Sequence, residues 1–125
     1  MYLKLAHTKL EVYPIARQLV SEVYKLTKSF PADERFGISS QIQRASVSVM
    51  LNIAEGSARR SGSERCRYYE IARASLVELD AAIEIAHTLC YFRTVDHPKL
   101  EPLIINTFKK LTLLIKSNRD QIANE

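Results

Sequence analysis

Apolar residues recur at steps of three and four along four long stretches of this chain, and this spacing limits its fold more than any other feature. Val12, Ala16, Leu19 and Val23 follow the spacing in the first stretch. Residues spaced in this way fall on one face of an α-helix, and an apolar helix face needs a partner to cover it. With only 3 Gly and 4 Pro in 125 residues, the sequence lacks the frequent turns of a β-protein.

The four stretches predict four helices joined by short connections. Long helices with short connections pack as antiparallel neighbours, which is the up-down arrangement of a four-helix bundle. We therefore predict an all-α fold, an antiparallel up-down four-helix bundle that forms a single domain over residues 1–125. The expected helices span about residues 9–28, 39–60, 63–92 and 98–117.

Capping residues and helix breakers predict where these helices end. The first helix begins either near Lys9 or at Pro14, where the missing N–H of proline has no helical partner to lose. Ser39 is the expected N-cap of the second helix, and Ser61 or Ser63 is that of the third. The polar tail after the fourth helix is expected to fray.

The charge balance is mildly basic. Lys and Arg number 18 against 14 Asp and Glu, which gives a net charge of +4. This excess permits contact with nucleic acid but does not require it. Cys66 and Cys90 lack a paired spacing and fit free thiols in a reducing compartment. No run of 18 apolar residues occurs, and the start MYLKLAH lacks a signal-peptide pattern, so we expect a cytoplasmic protein without membrane contact.

No residue pattern indicates catalysis. His7, His87 and His97 are far apart in sequence and have no ligand spacing with either cysteine. A Glu-x-x-His triplet occurs once, ending at His87, whereas the di-iron bundles need this motif on two helices. No glycine-rich phosphate loop is present. We expect no catalytic residues, no metal site and no cofactor.

The second predicted helix carries a seam of mostly polar residues at heptad steps, which we call the polar strip. Small polar residues such as Ser48 and Asn52 are weak helix formers and are unusual on a solvent face. On a seam they suggest the close approach of another helix, with hydrogen bonds across it. The polar strip runs through Gln41, Ala45, Ser48, Asn52, Glu55 and Arg59.

The register between the second and third helices follows if the chain folds back at about residue 61. Two pairs of opposite charge then face each other, which supports the register. The opposed positions are Arg44 with Glu78, Glu55 with Arg67, Asn52 with Glu70, and Ser48 with Ala74. The predicted packing and assembly seam comprises Gln41, Arg44, Ser48, Asn52, Glu55, Glu70 and Glu78.

Three segments of the sequence resemble one known protein family. They are FPADERFGISSQ (residues 30–41), RASVSVMLNIAEGSARR (residues 44–60) and IARASLVEL (residues 71–79). The family comprises four-helix-bundle proteins encoded within intervening sequences of bacterial 23S ribosomal RNA genes. The resemblance covers nearly the whole chain.

That family is similar in turn to accessory variability-determinant proteins of diversity-generating retroelements. Those proteins form barrel-shaped homopentamers with a basic surface, and they bind nucleic acid and a reverse transcriptase. The resemblance therefore implies a ring of five copies, with the second and third helices at its interfaces. Tyr13, Met50 and Ala74 stand where the family commonly has Trp, Pro and Gly, so the resemblance leaves the partner open.

Arginines cluster around the predicted hairpin and are the candidates for contact with an anionic partner. Guanidinium groups suit phosphate because they donate two hydrogen bonds in one plane, and Tyr68 and Tyr69 are placed to stack on bases. Alternatively, Arg44 and Arg67 pair with carboxylates, both tyrosines belong to the core or to an interface, and the lysines of the fourth helix form a solvated face. The predicted nucleic-acid-binding residues are Arg59, Arg60, Arg65, Arg67 and Arg73.

Two functions are compatible with these observations. The first is a non-catalytic homo-oligomer, pentameric by resemblance, that binds RNA or DNA through a basic surface. The second is a scaffold that binds a protein, for example a polymerase or a reverse transcriptase, without touching nucleic acid. Salt separates the two, because phosphate contacts weaken steeply as ionic strength rises whereas an apolar groove is nearly indifferent to it.

Overall fold

The computed structural model describes residues 1–124, and within them the chain is helical without a β-strand. Three short 3-10 turns, at Ala6–Lys9, Ala32–Glu34 and Thr94–Asp96, precede or connect the helices. The prediction of an all-α protein with four helices is confirmed. The helices are α1 (Val12–Thr27), α2 (Ile38–Ser57), α3 (Gly62–Thr88) and α4 (Leu100–Ala123).

Each helix packs against its neighbours in the chain, and α4 also packs against α1. Within residues 1–124, α1 makes no close backbone contact with α3, nor does α2 with α4. Contacts between α2 and α3 run in opposite chain directions: Ser48 lies against Ser75, whereas Arg59, just beyond the end of α2, contacts Tyr68 nearer the start of α3. This is the pattern of antiparallel neighbours in an up-down bundle.

One apolar stripe from each helix meets at the centre of the bundle. Leu19, Val49, Leu79 and Leu111, one from each helix, are fully buried. Burial of such side chains contributes about 1.5–3 kcal/mol each relative to exposure and is the main force that holds the four helices together. Phe30 closes one end of this core, where its ring packs against Tyr91 and Phe92. 

The helix starts differ from the predictions by a few residues. Lys9 belongs to the separate 3-10 turn, and α1 begins at Val12 with Pro14 in its first turn, where the proline nitrogen needs no acceptor. Helix α2 begins at Ile38, before the predicted cap Ser39, which lies inside the helix and is buried. The prediction for α3 is confirmed at Ser61, whose hydroxyl accepts a hydrogen bond from the backbone N–H of Glu64 at 3.1 Å.

Helix α3 ends at Thr88, earlier than the predicted residue 92, because the backbone of Cys90 turns into the left-handed region with φ 61. The N–H of Cys90 donates to the carbonyl of His87 (2.9 Å), and the N–H of Tyr91 donates to that of Ala86 (3.0 Å). These two bonds form a Schellman motif, which satisfies carbonyls at the helix end. Glycine usually occupies the left-handed position, so a cysteine there gave no signal in the sequence.

Helix α4 continues to Ala123, beyond the predicted end at residue 117, and the prediction of a frayed tail is wrong. Its last turns pack against the start of α3. Asn118 is buried and accepts a hydrogen bond from Arg65 Nε at 2.8 Å, and Ile122 lies beside Gly62. These contacts hold the polar segment in a helix that its own apolar pattern did not predict.

None of the described helices combines the length and the apolar character that a bilayer crossing needs.

Candidate functional site

The polar strip forms a hydrogen-bonded seam between α2 and α3. The hydroxyls of Ser48 and Ser75 are 2.8 Å apart, and Asn52 Nδ2 donates to the carbonyl (2.8 Å) and the hydroxyl (3.1 Å) of Ser48. The partner of Ser48 is Ser75 and not the predicted Ala74, so the register differs from the prediction by one residue. The small side chains allow the helices to approach closely, as the composition of the strip suggested.

Arg44 and Glu78 lie on the same side of the bundle, as the register requires. Together with Gln41 and Ser48 they line a shallow cavity of about 310 Å³ between α2 and α3. Both side chains are exposed, and the two charged groups form no ion pair with each other or with other described residues. The pair therefore faces outward as two separate charges of opposite sign.

The other predicted pairs are wrong. The carboxylate of Glu55 pairs with Arg59, which lies four residues further along the chain and just beyond the end of α2, and not with Arg67. Glu70 pairs with Arg119 of α4 and not with Asn52. The unpredicted extension of α4 brings Arg119 there.

Arg65 serves the structure of the hairpin. Its Nη1 donates to the carbonyls of Arg59 (3.2 Å) and Arg60 (2.8 Å), just beyond the end of α2, while its Nε donates to Asn118. The side chain thereby satisfies two backbone carbonyls of the turn that follows α2. These donors are engaged within the protein, so Arg65 has a structural role in the hairpin, and its assignment to phosphate binding stays a prediction.

The guanidinium group of Arg59 also has partners within the protein. Its guanidinium carbon lies 4.8 Å from the ring centroid of Tyr68, and Nη2 donates to the hydroxyl of Tyr68 (2.9 Å) and to Glu55. Tyr69 is buried in the core, and burial raises the pKa of its hydroxyl. The two tyrosines therefore pack within the bundle, which agrees with the alternative that placed them in the core.

The remaining predicted binding residues are more accessible. Arg60 and Arg67 are exposed and form no hydrogen bond or ion pair through their side chains with the described residues, whereas Arg73 is half-buried, donates to Thr112 (3.3 Å) and lies over the ring of Phe108. Lysine and arginine side chains of α4 approach the same end of the bundle. We call Arg60, Arg67, Arg73, Lys116 and Arg119 the basic end.

A second surface of interest contains apolar residues that the predicted assembly seam did not include. Leu51 of α2 is 61% exposed, and Ile71 and Ile85 of α3 are 41% and 52% exposed. On α3 the exposed residues recur at heptad steps of four and three, the spacing of a helix seam without its partner. We call this surface the α2–α3 face. It comprises Arg44, Ser48, Leu51 and Glu55 of α2 with Arg67, Ile71, Ala74, Glu78, Ala81 and Ile85 of α3.

No group of three or more His, Cys, Asp or Glu residues within residues 1–124 is arranged to hold a metal ion. Both cysteines are free thiols, and burial raises the pKa of Cys66, whereas Cys90 is exposed. The features that stand out are therefore surfaces: the α2–α3 face and the basic end.

The fold, the polar seam and these two surfaces define a small helical bundle protein. The chain belongs to the family described as 23S rRNA-intervening sequence protein, whose model matches residues 8–113. The match covers α1, α2 and α3 completely and ends within α4. No curated protein matches the chain significantly.

Proposed function

We propose that the protein is a non-catalytic assembly protein, whose copies associate through the α2–α3 face. The observation that carries the proposal is the composition of this face. It exposes Leu51, Ile71 and Ile85 in one band, flanked by charges of both signs that have no ion-pair partner among residues 1–124, at Arg44 and Glu78.

The face has the physical properties of a helix-packing surface. Burial of exposed apolar area stabilises an interface by about 25 cal/mol per Å² before the costs of association. Ser48, Ala74 and Ala81 are small, so a helix of another copy can approach closely. Charges at the edge of an apolar band favour one orientation of the partner over others.

The number of copies rests on the family likeness, which implies five. A closed ring of five needs two different surfaces on each copy, because each subunit contacts its two neighbours through unlike patches. In this proposal the α2–α3 face is one of the two surfaces.

The test is the mass of the protein in solution by light scattering, with Ile71→Asp as the variant. We expect a wild-type mass of about five times 14.3 kDa, and a much smaller mass for the variant, because a buried carboxylate without a partner opposes association. Leu113→Asp is the matched control, since Leu113 is exposed on α4 away from this face. A wild-type mass of one chain, or an unchanged mass for Ile71→Asp, would refute the proposal.

A second candidate function is the binding of RNA or DNA through the basic end. The side chains of Arg60 and Lys116 are exposed and form no hydrogen bond or ion pair with the described residues, so their donors are available to phosphate. Both lie outside the α2–α3 face, and assembly through that face would leave them accessible. The net charge of +4 favours an anionic partner as well.

A gel shift with structured RNA and with duplex DNA over a range of salt concentrations tests this function. On duplex DNA, the double variant Arg60→Glu with Lys116→Glu should lower the slope of log affinity against log salt by about 2, since each phosphate contact contributes about 0.9. Lys28→Glu with Lys99→Glu is the matched control at the opposite end of the bundle. If no complex forms at low salt, nucleic-acid binding is refuted and a protein partner such as a polymerase is the better explanation.

A further inference from the structure

A large hollow lies between α3 and α4, on a side that the proposed function does not use. It encloses about 860 Å³ beside the α3–α4 connection and the first half of α4. A second hollow of about 270 Å³ shares Asp80, Ile105 and Lys109 with it and extends to Phe108. The two form one continuous channel, which we call the α3–α4 groove.

The α3–α4 groove is mostly apolar, with a few charged groups at its edge. Ile105 and Phe108 of α4 line it and are 44% and 42% exposed. Two carboxylates, Asp80 and Glu101, face it together with one ammonium group, that of Lys109. Apolar hollows with a few polar groups at the rim are the usual form of a binding site for a short peptide or ligand.

The segment Met1–Leu5, which we call the arm, has the complementary composition. It precedes the first 3-10 turn and has no regular secondary structure, and Leu3 and Leu5 are 66% and 52% exposed. In an extended segment alternate side chains point to opposite sides. Leu3 and Leu5 therefore share one side, and Tyr2 and Lys4 share the other.

The charges of the arm and of the groove match. Lys4 is exposed and has no ion-pair partner, and neither Asp80 nor Glu101 forms an ion pair with a described residue. With Leu3 and Leu5 in the apolar floor, Lys4 lies at the rim, where the carboxylates are. A pairing of this kind adds specificity to the apolar contact.

The arm cannot reach the α3–α4 groove of its own chain. The 3-10 turn Ala6–Lys9, to which the arm is attached, packs against α1 and α2 and makes no close backbone contact with α3 or α4, although Lys9 at its far end borders a hollow between α1 and α4. Five extended residues span at most about 17 Å. Two helix diameters, about 20 Å, separate the α1–α2 side of the bundle from the α3–α4 side, and the path around the bundle is longer still.

We propose that the arm of one copy occupies the α3–α4 groove of a second copy. This contact is separate from the α2–α3 face and does not depend on it. The arm and the groove are different patches, so each copy gives one arm and receives one, which can link successive copies in a chain or a closed ring.

The test is photo-crosslinking in the full chain, with a photoreactive residue in place of Leu3. Isotopically heavy and light chains are mixed, irradiated and digested, and cross-linked peptides are identified by mass spectrometry. We expect heavy–light products that join the arm to residues 100–109. Ile105→Asp should lower their yield about tenfold through loss of apolar burial, and Lys4→Glu, which lies outside the folded bundle, should lower it through charge repulsion.

Two controls separate this contact from the proposed assembly face. The photoreactive residue placed at Phe36, which is also exposed, should give no product with residues 100–109. Ile71→Asp, which removes the assembly contact, should leave the arm products in place. Products within a single copy alone, products with another segment, or an unchanged yield for both Ile105→Asp and Lys4→Glu would overturn the proposal.

Discussion

Arg65 joins the end of α2 to α4 through one guanidinium group. It donates to the carbonyls of Arg59 and Arg60 and to the side chain of Asn118. We expect Arg65→Gln to lower the free energy of unfolding by about 2 kcal/mol, because charge-assisted hydrogen bonds are lost and their acceptors stay in place. Urea denaturation measures this change.

Arg67→Gln is the matched control for that prediction. Arg67 is exposed two residues further along α3, with no side-chain partner among residues 1–124. Its replacement should change the free energy of unfolding by less than about 0.5 kcal/mol in the isolated chain. Equal effects of the two substitutions would contradict the structural role of Arg65.

The sequence identified the cluster of arginines but not the partner of each. The partner of Arg65 depends on where α2 ends and on the continuation of α4 to Asn118, and neither follows from apolar spacing. By contrast, the seam of Ser48 and Asn52 could be predicted, because small polar residues at heptad steps have few other uses. Ser48 contacts Ser75 instead of the predicted Ala74, a shift of one residue, because the position of a turn fixes the register of two helices only approximately.

The two cysteines should differ sharply in reactivity. Burial raises the pKa of Cys66 above its ordinary 9.0, and its thiol lies 3.7 Å from the carbonyl oxygen of Ile115, whereas Cys90 is exposed. The thiolate is the reactive form. Iodoacetamide followed by mass spectrometry should therefore modify Cys90 quickly and Cys66 only after unfolding.

The same burial makes the stability depend on pH. As pH rises above 9.0, Cys66 loses its proton in the unfolded chain but keeps it in the folded chain. The unfolded state then binds fewer protons, so the free energy of unfolding falls as pH rises from there towards the raised pKa. Denaturation at pH 8 and at pH 10 measures the free energy of unfolding, which should fall less between the two pH values for Cys66→Ala than for the wild type. An equal fall in both proteins would contradict a raised pKa for Cys66.

The crossing of α2 and α3 requires a glycine at position 56. A Cβ atom there would lie 2.8 Å from Tyr69 Cε1 and 2.9 Å from Tyr68 Cβ. Alanine favours helices over glycine by about 1 kcal/mol, but forcing atoms into a packed contact costs about 1–3 kcal/mol. We expect Gly56→Ala to lower the melting temperature measured by circular dichroism.

Gly62→Ala is the control for the crossing. A Cβ atom added there would lie 2.9 Å from Cγ1 of Ile122, and this side chain can rotate away. Gly62→Ala should therefore lower the melting temperature much less than Gly56→Ala. A higher melting temperature for Gly56→Ala would contradict the close approach of the two helices.

Apolar spacing predicted the helices well in their interiors and poorly at their ends. The end of α3 depends on the left-handed backbone of Cys90, and the end of α4 depends on contacts with α3, and neither leaves a local pattern. Spacing also could not tell a core position from an exposed one on a long helix. Ile71 and Ile85 follow the spacing of three and four, yet they lie on the outer side of α3, beyond the stripe that the other helices cover.

At the scale of the whole molecule, α3 is the element that all the proposed contacts share. It packs against α2 on one side and α4 on the other, and its outer side carries the apolar band of the α2–α3 face. The α3–α4 groove lies on its α4 side. In the two proposals, the arm with the groove forms one contact between copies and the α2–α3 face forms another, so each copy has more than one surface for its neighbours.

Assembly makes a prediction about the stability of the whole molecule. Association that requires folded subunits stabilises the folded state, and the effect grows with the logarithm of protein concentration. A hundredfold increase in concentration adds at most about 2.7 kcal/mol, which for a chain of this length raises the melting temperature by roughly 5–10 °C. Calorimetry from a few micromolar to several hundred micromolar should show this rise. Ile71→Asp should show a much smaller rise, because its folded bundle no longer gains from a neighbour through the α2–α3 face, while Leu113→Asp should follow the wild type. A wild-type melting temperature that does not change with protein concentration would contradict assembly, because the bundle would then be no more stable with neighbours than alone.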